Sequence, residues 1–254
     1  MFEALDWSII GPGFVAGLIV LSTHVPLGQE VLRRGIIFID LAIAQVAGLG
    51  VIAAYAMEWD PEGIQVQLAA VSAALIAALG LHWTERRWPR IQEPLIGTLF
   101  ILAATGGILL LAGNPHGSEH LKDLLVGQIL WTTWSALWPV ALLYAVALAI
   151  WFWLNPRSGG LIFYLVFAIV VTASVQIVGV YLVFASLIIP ALATAGIKRG
   201  NRLMAGYLIG AISYLLGIVV SFWLDMPTGA VIVWSMAAVA LLVGLFISDK
   251  REPT

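Results

Sequence analysis

The chain of 254 residues is 61% hydrophobic and only 10% charged, with a mean hydropathy of +1.02 and a formal net charge of −2. A soluble domain is nearer half apolar and a quarter charged, and an excess this large cannot be hidden inside a globule of this length, so the bilayer is the natural solvent. With no cysteine, neither a disulfide framework nor a thiolate metal site is possible.

A membrane crossing needs roughly 20 apolar residues. In chain order, Met1–Ser8 is acidic rather than basic and does not read as a cleavable signal peptide. The first span is expected at about 9–25 and the second at about 36–57, joined by "GQEVLRRG". A third, at about 65–82, follows "EWDPEG", and "TERRWPRIQE" leads to a fourth at about 94–113. The longest connection, from Asn114 to about Trp134, precedes a fifth at about 135–154. After "NPRSGG" comes the irregular stretch 161–197, 37 residues without a charge. At ~1.5 Å per residue it is too long for one crossing. A tight turn near Gly179 makes it two short spans; a broken or re-entrant helix is the other option. Spans at about 203–224 and 229–247, separated by "DMPTG", complete the chain. The expected fold is all-α: a polytopic transmembrane helical bundle of nine spans, or eight with a re-entrant piece, with residues 1–254 forming one domain.

Under the nine-span reading, Arg33, Arg34, Arg86, Arg87, Arg90, Arg157, Lys198, Arg199, Arg202, Lys250 and Arg251 share one side, and only Lys122 lies on the other. The positive-inside rule then puts the C-terminus in the cytoplasm and Met1 outside. Tryptophans such as Trp7, Trp59 and Trp223 at outer ends, and Trp83, Trp88 and Trp153 at inner ones, form the interfacial belt. Gly13-x-x-x-Gly17 and Gly206-x-x-x-Gly210 read as helix-packing spacings.

No phosphate loop ending in Gly-Lys-Ser/Thr is present, so the chain does not cradle ATP by itself. "GPGFVAG" at 11–17 lies inside a span and is no dinucleotide fingerprint. "HGSEH" at 116–120 lacks the zinc-protease spacing, and no Gly-x-Ser-x-Gly elbow occurs. No catalytic set supports an enzyme, and no cofactor is expected on this chain.

Three groups of residues remain. In "IIFIDLAIAQ" (36–45) one carboxylate, Asp40, stands in an apolar run, where at the bilayer centre it costs ~2.5–3.5 kcal/mol. Either it satisfies the first turn of its helix and pairs with Arg33 or Arg34, or it is a pathway carboxylate for a cation, with Gln45 supplying a carbonyl oxygen deeper on the helix. In the outer loop, His116 and His120 lie one turn apart if helical and, with Glu119, suit zinc or manganese; a solvated loop is the alternative. His24 and His82 read as interfacial residues. Finally, Pro190 kinks a span that delivers the basic turn Lys198, Arg199 and Arg202 to the cytoplasm, placed to receive force from a partner.

At 176–196, "QIVGVYLVFASLIIPALATAG" closely resembles the signature of membrane subunits of ABC-type zinc/manganese/iron importers. "LGQEVLRRGIIFID" (27–40) is similar to that family's second-helix approach, with paired arginines and an aspartate six residues on. "HLKDLLVGQIL" (120–130) is similar to its Leu-Phe-Gly-x-Ile-Leu stretch, with Val126 in place of Phe, and "LDMPTGAVIV" (224–233) to the loop before its last helix. The resemblance implies a homodimeric permease in a bacterial cytoplasmic membrane, energised by cytoplasmic ATP-binding subunits and fed by an extracytoplasmic metal-binding protein. It carries a divalent metal ion as substrate and binds no nucleic acid. Asp40 falls on the family's helix-two aspartate; where many members place a histidine four residues later, this chain has Ala44, which weakens the expectation of zinc. The family's cytoplasmic stretch before its sixth helix is reduced here to "NPRSGG", which shifts ATPase contact toward 190–202.

Two other classes compete. A self-sufficient secondary transporter would show repeats with corresponding interrupted helices, and no convincing repeat is found. A membrane anchor of a redox or biosynthetic complex would show paired haem-type histidines within spans, and no such pair is found.

Overall fold

Apolar runs of this length have no water to satisfy their peptide groups, so they satisfy them internally as helices. The computed structural model describes residues 7–60, 63–112, 122, 124–154, 160–198 and 200–248, and every regular element among them is helical. In chain order these are α1 (Trp7–Arg34), α2 (Ile39–Ala56), α3 (Ile64–Arg87), a 3-10 turn (Pro89–Ile91) and α4 (Gln92–Leu111). After a second 3-10 turn (Ile129–Trp131) come α5 (Trp134–Trp153), α6 (Gly160–Ala193), α7 (Arg202–Leu224) and α8 (Thr228–Ser248). Among the described residues seven helices are long and apolar enough to cross a membrane, and the apolar stretch Thr228–Gly244 is shorter.

The first expected span ends too early. It is expected at about 9–25 with "GQEVLRRG" as a connection, yet α1 runs unbroken to Arg34 with Pro12 and Pro26 inside it. Pro26 has no N–H for the Ser22 carbonyl four residues back. The Tyr207 hydroxyl of α7 donates to that carbonyl instead, at 3.1 Å, so a neighbouring helix makes good the missing bond. The 161–197 stretch is α6, interrupted at Gly179, whose φ of 79° and ψ of 163° are non-helical. Gly127 has a matching φ of 71°. The two glycines approach backbone to backbone: a Cβ on Gly179 would lie 2.3 Å from the Gly127 nitrogen.

The chain divides into two compact units, one from Met1–Arg34, Val126–Leu142 and Ile177–Thr254, the other from Gly35–Leu125 and Leu143–Gln176. In the first, α1 packs along α7, and α7 along α8. Small residues set the approach, since a Cβ on Gly17 would lie 2.3 Å from the Tyr214 ring and one on Gly28 2.0 Å from the Leu187 carbonyl oxygen. In the second, α2 packs against α3 and α4. It is apolar apart from Asp40, Gln45 and the Tyr55 hydroxyl and buried on most faces, including Ile39, Ile43, Ala44 and Ala47. α3 meets it through a stripe four residues apart, Val66, Ala70, Ala74 and Ala78. Outside that stripe Ile76 is 70% exposed, as is much of α4, where Leu109 is 75% exposed, the surface expected of helices bathed in lipid.

Candidate functional site

Asp40 lies in the first turn of α2, after Phe38, whose backbone N–H donates to Glu93 Oε1 at 3.2 Å. The side chain does not cap the helix. It is 0% exposed, and neither carboxylate oxygen has a hydrogen-bond partner among the described residues. The arginines expected to pair with it close on Glu30. Arg33 Nε donates to Oε2 at 2.7 Å with a second, shorter contact to Oε1, and Arg34 Nε donates to Oε1 at 2.8 Å. Gln45 is also buried on α2. Five residues further on, it projects about 140° around the helix from Asp40. Ala44, in line with Asp40 one turn on, is fully buried. Among the described residues, nothing in its own unit hydrogen-bonds this acid.

His116, Glu119 and His120 lie outside the described residues. Among the described residues no cluster of three or more His, Asp or Glu side chains could hold a metal ion. The basic turn separates into distinct parts. Pro190 is buried within α6, and its carbonyl accepts from the Thr194 hydroxyl at 2.8 Å. Arg202 turns inward on the preceding loop, donating to the Ala195 carbonyl at 2.6 Å and the Ile197 carbonyl at 2.8 Å. Lys198 is exposed, and Arg199 lies outside the described residues. Arg202 therefore shapes the turn, while Lys198 presents a charge on it.

Two buried polar groups were not legible as such. Glu30 is 6% exposed and holds both arginines, where a loop was expected. His24, read as interfacial, is 0% exposed. The signal that places it is periodicity: once the helix continues past Pro26, His24 shares a face with Gly17 and Gly28. His82, the other expected interfacial histidine, is half-buried with its ring 5.5 Å from that of Tyr164. Nearby, Gln92 donates to the Leu81 carbonyl at 2.9 Å and accepts from the Thr84 hydroxyl at 2.9 Å, joining α3 to α4.

Comparison with known proteins bears on this arrangement. Residues 6–157 and 154–247 match the model of the ABC 3 transport family. The chain is 26% identical to a probable iron transport system membrane protein of Haemophilus influenzae, over 91% of this chain and 89% of that one. It is 26% identical to the manganese transport system membrane protein MntC of Halalkalibacterium halodurans, over 98% and 90%. To the high-affinity zinc uptake system membrane protein ZnuB of Haemophilus influenzae it is 23% identical, over 99% of each. The solved structure of PsaBC from Streptococcus pneumoniae in complex with Fab has a chain of similar fold, with a TM-score of 0.77, 19% identity and 98% coverage of both chains. Matched in two segments that run together from residue 6 to residue 247, the chain belongs to the ABC 3 transport family.

Proposed function

We propose that the chain is the membrane-spanning permease subunit of an ATP-binding-cassette transporter importing a divalent metal ion (zinc, manganese or iron) across a bacterial cytoplasmic membrane. Relatives named for transport of those three metals align over nearly their whole length. The observation that carries the reading is Asp40: a fully buried carboxyl group with no hydrogen-bond partner among the described residues, inside an apolar helix of a transport protein. Intramembrane acids serve ion pathways far more readily than they serve packing. Gln45, on the same helix, is the accompanying oxygen donor.

Counting α6 as two crossings divided at Gly179 gives nine spans, with Met1 outside and the basic turns in the cytoplasm, and 1–254 acts as one permease domain. His116, Glu119 and His120 are assigned to the outer mouth. ATP hydrolysis belongs to separate cytoplasmic subunits that dock on the 190–202 region, where Pro190 and Arg202 shape the turn and Lys198 and Arg199 supply its docking charges. Metal arrives on an extracytoplasmic binding protein, and the permease works as a homodimer.

The test is uptake of radiolabelled manganese and zinc into vesicles. Asp40→Asn removes one full charge and one strong oxygen ligand from a low-dielectric path, where both matter far more than in water. Uptake is expected to fall at least about tenfold, the least that losing a ligand's supporting group does to metal sites, with normal protein level and subunit assembly. Near-normal uptake would remove Asp40 from the path.

A further inference from the structure

We infer that His24 Nε2 is a nitrogen ligand of the transported cation, which restricts the cargo to ions that accept imidazole. This rests on the metal-permease reading above. His24 is 0% exposed in the middle of α1. Its Nδ1 lies 2.9 Å from the Val20 carbonyl oxygen and 3.2 Å from Thr23 Oγ1, which itself donates to the same carbonyl at 3.1 Å. A carbonyl only accepts, so Nδ1 carries the hydrogen, and in a neutral imidazole Nε2 then holds a lone pair. That lone pair is buried and has no hydrogen-bond partner among the described residues.

An unsatisfied buried acceptor is unfavourable, and a hydrocarbon side chain of similar volume would fill the same space without it. Packing thus explains the ring but not the nitrogen. A backbone carbonyl holding Nδ1–H while Nε2 stays open is the way ligating histidines are oriented.

The surroundings agree. Gly17, His24 and Gly28 fall within about 40° of one another around α1. Gly17 meets the Tyr214 ring of α7 and Gly28 meets the Leu187 carbonyl of α6, so this face looks into a helix seam rather than toward lipid. The seam also holds oxygen: the Ser186 and Tyr214 hydroxyls are fully buried and 2.8 Å apart. Pro190, lacking an N–H, leaves the Ser186 carbonyl without its helical donor. Imidazole nitrogen suits zinc, manganese and iron, whereas magnesium and calcium take oxygen.

The test uses the full chain with its ATP-binding subunit in lipid nanodiscs, with Mn²⁺ as probe and pulsed EPR to detect ¹⁴N coupled to the bound metal. The chain has four histidines, so a His82→Gln, His116→Gln, His120→Gln variant leaves only His24. His24→Asn keeps an N–H near the Nδ1 position for the Val20 carbonyl and deletes Nε2. Imidazole coupling is expected to persist in the triple variant and to vanish in His24→Asn, with Mn²⁺ affinity at least about tenfold weaker. Loss of the coupling in the triple variant, or its survival in His24→Asn, would overturn the inference. If wild-type protein takes up Mn²⁺ while His24→Asn takes it up equally well, only this inference falls. If the wild type neither binds nor takes up Mn²⁺, Zn²⁺ or Fe²⁺, the permease reading falls with it.

Discussion

Among the described residues no side chain hydrogen-bonds the buried Asp40 carboxyl group. A buried carboxyl group without a partner costs at least as much as a neutral amide in the same place, about 1–3 kcal/mol, and several kcal/mol whenever it ionises. Asp40→Asn is therefore expected to leave the thermal midpoint of the purified protein unchanged or higher even as transport is lost. A clear drop in that midpoint would mean that Asp40 holds structure together. The acid was legible in the sequence because a lone charge in an apolar run is conspicuous. Its isolation was not, because the text places two arginines nearby and only the fold shows both on Glu30. Arg202 illustrates the same limit, since a basic residue in a cytoplasmic turn reads as a docking charge until its two bonds to turn carbonyls are seen. Arg202→Glu should lower stability by about 1–2 kcal/mol, after discounting charge-assisted bonds for solvent. Exposed Lys198→Glu should stay within about 0.5 kcal/mol of wild type yet weaken stimulation of the ATP-binding subunit. Equal stability of the two variants, measured by thermal unfolding, would contradict this division of labour.

Among the elements, α6 shows why an uncharged run of unusual length deserved separate treatment. Its break falls at Gly179, where the backbone takes a conformation open almost only to glycine. Gly179→Ala combines strain of about 1–3 kcal/mol with a Cβ driven to 2.3 Å from the Gly127 nitrogen. Folded yield on size-exclusion should fall sharply. Gly97→Ala on α4, where a Cβ meets nothing within 4 Å, should be neutral or stabilising by up to about 1 kcal/mol. Comparable yields for both would show that the Gly179 contact is not a constraint. The break was legible because length and a central glycine coincided there. The continuation of α1 past Pro26 was not, because the group that rescues the Ser22 carbonyl comes from Tyr207, 185 residues later in the chain. A local reading of proline sees the lost donor but not the distant hydroxyl that replaces it.

For the molecule as a whole, composition alone settled the solvent, and the exposed Ile, Leu and Trp side chains of α3, α4, α5 and α7 are what that composition requires. Energy coupling is a different matter, because it depends on chemistry the sequence lacks: no loop for nucleotide phosphates accompanies the buried acid. Transport should therefore follow ATP hydrolysis on a partner rather than an ion gradient. The direct measurement is accumulation of radiolabelled manganese or zinc in proteoliposomes containing this chain, with the metal-loaded binding protein supplied on the outer side. Accumulation is predicted only when the ATP-binding subunit and ATP are both present. Robust uptake by the chain alone, driven by a proton gradient, would contradict the permease reading and point to a self-sufficient secondary transporter.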